Sequence, residues 1–459
     1  MSDEKIWGGR FETTTDALME KFSSSLFFDQ KLFDADIAVN KAWAHALVAV
    51  GIYSADEKDK ICAALDSIQN DFHAGLLTFP PGAEDIHSAN ERWLIERCGD
   101  VGAKIHTGRS RNDQVVTDLR LYLRTQNRAQ QNTIKSLQKA LLEACTRHMD
   151  TIMPGQTHLR QAQPISFAHY LLSFFFQMER DRQRLKQAYV RCNKMPLGAG
   201  AIAGAAFEID REKLAKALGF DGPTENSYDS TADRDFVNEH LYCCAQIMVH
   251  LSRIAEDLII WSSEAFRFVE VHEKYATGSS MMPQKRNPDS LELIRGKAAR
   301  VIANQVAGLC LLKGAPTAYV RDLQEDKEPL FDSLEQTIES VQIFTGVIQT
   351  LDVFPDNMRK ALDPALFATD VADYLVRKGM PFRRAHAIVG ILVGLAEQKG
   401  ETLASLTIEM YRQQSSLFEP DVYALFDPES ALSKREIMGG TGKKSVEMQI
   451  KHAHQLLNV

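Results

Sequence analysis

Apolar positions in the middle of the chain recur at spacings of three and four, as at Leu251, Ile254, Leu258 and Trp261. That is the period of one buried helix face. Helix breakers are unevenly placed. No Gly or Pro occurs between Gly108 and Pro154, between Pro164 and Pro196, between Pro223 and Gly278, or between Pro329 and Gly346. Arg, Gln, Leu, Ala and Glu, all good helix formers, dominate these stretches. The pattern predicts four or five long helices over roughly residues 110–350. Alternating strand patterns with Asn-Gly turns are nearly absent, so the expected fold class is all-α. A helix of ~40 residues is ~60 Å long, more than one small domain can cover. Such helices bury their faces most simply in a central bundle shared between copies of the chain. The expectation is an elongated multi-helix protein built on that bundle.

Three regions follow from the same pattern. Residues 1–110 read as an N-terminal helical domain. There Ser54-Ala55-Asp56-Glu57 forms a capping box, and Gly75 can end the helix it starts. Residues 111–362 read as the central long-helix bundle domain. After Phe354-Pro355 the helical pattern shortens, and residues 363–459 read as a small helical domain.

Composition narrows the function. Of 459 residues, 44% are hydrophobic, enough to bury a large core, and the 53 basic and 61 acidic side chains leave a net charge of −8. That balance argues against nucleic acid or an anionic membrane as partner. The seven cysteines are odd in number, and no pair has CxxC spacing. They read as reduced thiols in a cytoplasmic protein, with no zinc site. The start, Met-Ser-Asp-Glu-Lys, is charged and shows no signal peptide, and the most apolar run, residues 171–176, is far too short to span a bilayer.

Four segments carry candidate chemistry. The most detailed is Gly278-Ser279-Ser280-Met281-Met282-Pro283-Gln284-Lys285-Arg286-Asn287-Pro288. Its Gly, Ser and Pro content makes it a loop. Asn287 is a good N-cap and Pro288 suits the first position of the helix that follows. A hydroxyl, a cation and free helix-start amides within ten residues can remove a proton and hold the resulting anion. The second is His106-Thr107-Gly108-Arg109-Ser110-Arg111-Asn112-Asp113-Gln114, ahead of the longest helix. Its arginine forks suit carboxylates, though Ser110 or Asn112 could simply be caps. The third is Thr157-His158 with Gln161-Ala162-Gln163-Pro164, in the break between two helices. A histidine there can be acid, base or donor. The fourth, residues 319–329, holds Tyr319, Asp322, Gln324, Glu325, Asp326, Lys327 and Glu328. Alone it reads as a solvated charged helix start.

Together the segments resemble the argininosuccinate lyase family, within the aspartase/fumarase superfamily. The loop at 278–288 resembles the superfamily signature. Trp7-Gly8-Gly9-Arg10-Phe11, residues 106–114 and Gln324-Glu325-Asp326-Lys327-Glu328 point to this branch. The chain departs from the family at Val39-Asn40, where Gly-Ser is usual. The resemblance implies cleavage of argininosuccinate to arginine and fumarate, reversibly and without a cofactor or metal. It implies Ser279 as general base and Lys285 as the cation that stabilises the carbanion. His158 would serve the leaving guanidinium, with Glu292 orienting its ring. Ser25, Arg111, Asn112, Thr157, Asn287, Tyr319, Gln324 and Lys327 would bind substrate. It also implies a homotetramer with shared active sites. A related lyase acting on another succinyl adduct, and a structural protein derived from the family, stay open as alternatives.

Overall fold

The structure, a computed structural model, describes residues 13–458; the motif at 7–11 lies outside them. After two short helices, Ala17–Ser23 and Leu26–Asp29, come α1 (Phe33–Ala49), α2 (Ala55–His73) and α3 (Ile86–Cys98). Among the described residues, five long helices follow: α4 (Arg111–Arg147), α5 (Phe167–Cys192), α6 (Asp235–Ser262), α7 (Asp289–Leu312) and α8 (Lys327–Thr350). With 37 residues, α4 is ~55 Å long. Shorter helices close the chain, including α9 (Ala368–Arg377), α10 (Phe382–Lys399) and α11 (Lys443–Leu457).

Strand is confined to two small antiparallel pairs among the described residues. In one, β1 (Ile152–Thr157) pairs with β2 (Arg160–Ser166); in the other, β3 (Val269–Glu270) pairs with β4 (Asp352–Val353). The first pair fills what the sequence shows only as a break between helices. Pro154, Gly155 and Pro164 lie inside these strands, so helix-breaker counting cannot tell the hairpin from a loop.

The chain forms two compact units. Of the described residues, one comprises 13–132, 183–246 and 299–338, the other 133–182, 247–298 and 339–458. In the first, Val116, Leu119 and Leu123 of α4 are buried, at the spacing the sequence pattern predicts. In the second, Val371 and Leu375 of α9 join Ile388 and Leu392 of α10, with Tyr411 and Phe418, in one cluster. No described helix is long and apolar enough to cross a membrane.

Helix ends place the candidate chemistry. The capping box at Ser54 is formed: Ser54 N donates to Glu57 Oε2 at 2.8 Å, and Glu57 N donates to Ser54 Oγ at 3.1 Å. Gly75, at φ +68°, follows the last residues of α2. At the start of α4, Asn112 N donates to Ser110 Oγ at 3.2 Å, and Asp113 Oδ1 accepts from Ser110 N at 2.9 Å. Ser110 is therefore the cap, leaving the side chains of Arg111 and Asn112 for other work. Gly108 has φ +77°, and a Cβ there would lie 2.8 Å from the Phe207 ring, so this turn needs glycine. The start of α7 differs from expectation by one residue. The Leu291 and Glu292 amides donate to Pro288 O at 2.9 and 3.2 Å, so Pro288 stands in the cap position. Asn287 does not cap the helix.

Candidate active site

In the second unit, the loop at 278–288 is tied at its base. Thr277 and Asn287 form an isolated antiparallel bridge, Thr277 N donating to Asn287 O at 3.1 Å and Asn287 N to Thr277 O at 2.7 Å. The Thr277 hydroxyl also donates to the Asp289 carboxylate. Within the loop, Ser279 Oγ accepts from Met281 N at 3.2 Å and Met282 N at 3.0 Å. These two amides, rather than those of the helix start, are the donors aimed at the hydroxyl. Two donors on one oxygen favour its anionic form. Lys285 N donates to Met282 O at 3.1 Å, and the Lys285 side chain is exposed. Arg286 is paired with Glu270 at 3.1 Å, whereas Lys285 makes no ion pair among the described residues. A cleft of about 380 Å³ borders the loop through Gln284, Arg286, Asn287 and Pro288.

Thr157 and His158 also lie in this unit. Thr157 pairs with Arg160, so His158 and Leu159 form a two-residue hairpin turn, at φ +55° and +57°. Positive φ at both positions is the geometry normally given to Asn-Gly. Here it holds a histidine and a leucine, with His158 exposed at the tip. Left-handed backbone at bulky residues persists where the surroundings enforce it, and it concentrates at functional sites. Gln161 helps enforce it, donating to Ala361 O at 2.8 Å and accepting from Asp363 N at 3.3 Å. Glu292 is exposed in the first turn of α7, and no hydrogen bond joins it to His158 among the described residues.

The first unit gathers Ser25, Arg111, Asn112, Tyr319, Gln324 and Lys327. Ser25 is buried. Its amide donates to Glu84 O at 2.9 Å and its hydroxyl to Asp29 Oδ2 at 2.5 Å. Burial pushes the Asp29 carboxyl above its usual range. Gln324 Nε2 and Arg321 donate to Ser23 O at 3.3 and 2.8 Å, so the 319–329 segment docks on the residues just before Ser25. Arg111 lies 3.5 Å from Asp85 and 3.6 Å from Glu91, and donates to Gln114 Oε1 at 2.6 Å. Burial opposes its charge, yet the carboxylates of Asp85, Glu91 and Asp36 outweigh it and hold the pKa above its ordinary value. Burial likewise raises the pKa of the Tyr319 hydroxyl.

Lys327 is buried, not solvated. Its Nζ donates to Asp326 Oδ1 at 2.8 Å, and Arg234 donates to the other oxygen of the same carboxylate. All three side chains are at most 5% exposed. Two cations share one anion, so the cluster carries +1 in a buried setting, and an anionic ligand would complete it. Sequence reasoning did not single out Arg234, Asp85 or Arg321 for a role. A signal existed in Asp233-Arg234-Asp235, three charges at the head of an apolar helix, and in Glu84-Asp85-Ile86-His87.

The family model described as "Lyase" matches residues 9–303, and one described as "Argininosuccinate lyase C-terminal" matches residues 365–433. The chain is 48% identical over 450 residues to a probable argininosuccinate lyase of Schizosaccharomyces pombe, covering 98% of each chain. It is 47% identical over 451 residues to the argininosuccinate lyase of Bacillus subtilis, again covering 98% of each. Among solved structures it superposes on an EDDS lyase variant with bound fumarate, with TM-score 0.86 and 29% identity, over 94% of this chain and 87% of that one. The class II fumarase of Schistosoma mansoni shares the fold, with TM-score 0.76 and 16% identity over 90% and 92% of the two chains.

Proposed function

The chain belongs to the argininosuccinate lyase family, and from that premise we propose how its residues divide the work of cleaving argininosuccinate to arginine and fumarate. The reaction is a β-elimination. A proton leaves the carbon beside one succinyl carboxylate, the C–N bond breaks, and its electron pair stays on the guanidine nitrogen of arginine. Ser279 takes the proton. The observation that carries this is its hydroxyl oxygen, which accepts from two backbone amides at 3.2 and 3.0 Å in a loop tied at its base. A serine is a weak base unless its alkoxide is stabilised, and each such donor contributes about 3 kcal/mol when water is excluded. Lys285 faces the carboxylate that receives the carbanion charge. His158 protonates or holds the departing guanidine nitrogen, with Glu292 of another copy of the chain orienting its ring.

Arg111 clamps a substrate carboxylate as a fork. Lys327, in the cluster of net charge +1, meets the second negative centre. Ser25, Asn112, Thr157, Asn287, Tyr319 and Gln324 supply the remaining polar contacts. The working enzyme is a cytoplasmic homotetramer acting in arginine biosynthesis, and each site draws on more than one subunit. Ile302, Val306 and Leu309 of α7 support the assembly. They recur at four and three residues and are 40%, 54% and 55% exposed in the single chain, an apolar stripe suited to another helix. No cofactor, nucleic acid or membrane enters this reading.

Ser279→Ala tests the base assignment. The variant should bind argininosuccinate in calorimetry with near wild-type affinity while kcat collapses. Retention of more than about a tenth of wild-type kcat removes Ser279 from the base role.

A further inference from the structure

The Asp36, His87 and Asp118 side chains converge in the interior of the first unit, none more than 1% exposed, and no step of the reaction described above uses them. Asp36 is saturated with donors. Its Oδ2 accepts from Asn40 Nδ2 at 2.8 Å and from Asn90 Nδ2 at 2.7 Å. Its Oδ1 accepts from His87 Nδ1 at 2.9 Å and from the Gln114 side-chain amide. His87 Nδ1 is also 3.1 Å from Asp118 Oδ2. The three ligating atoms lie close enough together to hold a metal ion. However, four donors aimed at Asp36 occupy the lone pairs an ion would need.

Gln114 links this interior to Arg111. Its NH2 end faces the Asp36 carboxylate, which can only accept, so its carbonyl end must face outward. That carbonyl accepts from Arg111 Nη1 at 2.6 Å. The charge on Asp36 thus fixes the polarity of one amide, and the amide fixes one arm of the guanidinium. Burial by itself would lower the pKa of His87, but the Asp36 and Asp118 carboxylates prevail and push it up to about 10. The imidazole therefore stays a donor to Asp36 at neutral pH. Asn40 ties in the neighbouring arginine, accepting from Arg109 Nη2 at 2.6 Å. Asn40 is one of the two residues that depart from the family's usual Gly-Ser, and its side chain is engaged in this network.

We propose that Asp36, held by His87, is a positioning residue that sets the Gln114 amide and through it aims the Arg111 fork at the substrate carboxylate. This rests on the reading of Arg111 as a carboxylate clamp. The test is steady-state fumarate release by the intact chain and five variants. Asp36→Asn presents an amide NH2 toward Gln114 and lets Gln114 flip, which turns its own NH2 toward Arg111. Gln114→Glu keeps an acceptor for Arg111 but sets two carboxylates face to face. Each single variant should raise KM about tenfold or more, the scale of one charged hydrogen bond, with kcat changed far less. In the double variant the bond is reversed, the introduced asparagine donating to the introduced glutamate, which still accepts from Arg111, so KM should return to within about threefold of wild type. Gln114→Met, close in volume, should raise KM with little loss of melting temperature, and so reads out the relay should Asp36→Asn fail to fold.

A double variant no better than the worse single, or a Gln114→Met enzyme of unchanged KM, overturns the relay. Stoichiometric divalent metal bound at Asp36 in the purified protein overturns it as well. Arg111→Lys separates the two ideas. If it leaves KM unchanged, the clamp reading falls and the relay falls with it. If it raises KM while the Asp36 and Gln114 variants do not, the relay alone is wrong.

Discussion

Asp326→Asn isolates the buried charge cluster of the first unit. Asp326 is 1% exposed, and its two oxygens meet Arg234 and Lys327, themselves 2% and 4–5% exposed. An asparagine keeps the volume and one acceptor but removes the anion. Two cations are then left buried without the anion that joins them, and the amide NH2 must face one of them. Breaking a buried ion pair from one side costs about 3–5 kcal/mol. The unfolding entropy of about 2.1 cal/mol/K per residue, over 459 residues, is ~1 kcal/mol/K. The melting temperature should therefore fall by about 3–5 °C in scanning calorimetry at neutral pH. On the proposed role of Lys327, saturating succinate or fumarate should return part of that loss. Turnover should show a raised KM, because Lys327 loses the anchor that holds its ammonium in place. A melting temperature within about 1 °C of wild type, with KM unchanged, would rule this out. It would mean that water or a neighbouring group neutralises the cluster and that Asp326 does not organise it.

Two further outcomes follow from the hairpin turn. Leu159 is 73% exposed at φ +57°, so Leu159→Gly should relieve up to about 1 kcal/mol of backbone strain. The protein should melt slightly higher while kcat falls as the His158 turn loosens; a lower melting temperature removes the strain argument. His158→Asn and Ser279→Ala proteins, each inactive alone, should recover about a quarter of wild-type activity when refolded together in equal amounts, because a mixed site needs both intact residues. Recovery near zero, with mixed tetramers seen by native mass spectrometry, would place both residues of a site on one subunit.

The long helices α4, α5 and α6 were legible because their signal is redundant, period, composition and the absence of breakers all agreeing, whereas α7 carries Gly296 and Gly308 and stands on period and composition alone. Ser110 and Ser54 show that cap chemistry is legible too. The β1–β2 hairpin was not, because its strands contain Pro and Gly and its turn contains neither. The turn's two left-handed residues, His158 and Leu159, are enforced by tertiary contacts such as those of Gln161, and no local propensity announces them. At the loop, residue type and order point to a hydroxyl and a cation, and the family resemblance is what singles out Ser279 and Lys285. The amides that serve Ser279 could not be named, since Met281 and Met282 act through backbone that any residue supplies. Lys327 looked solvated in sequence because its neighbours are charged. Its burial depends on Arg234, some ninety residues away in the chain. Charge partners brought together by folding are what a one-dimensional reading lacks.

The decisive measurement is fumarate release from a panel of succinyl compounds. With purified protein and argininosuccinate, ultraviolet absorbance should rise as fumarate forms, with arginine appearing in equal amount. Adenylosuccinate, aspartate and malate should give no rise under the same conditions. No fumarate from argininosuccinate, or faster release from any of the other three, would defeat the assignment.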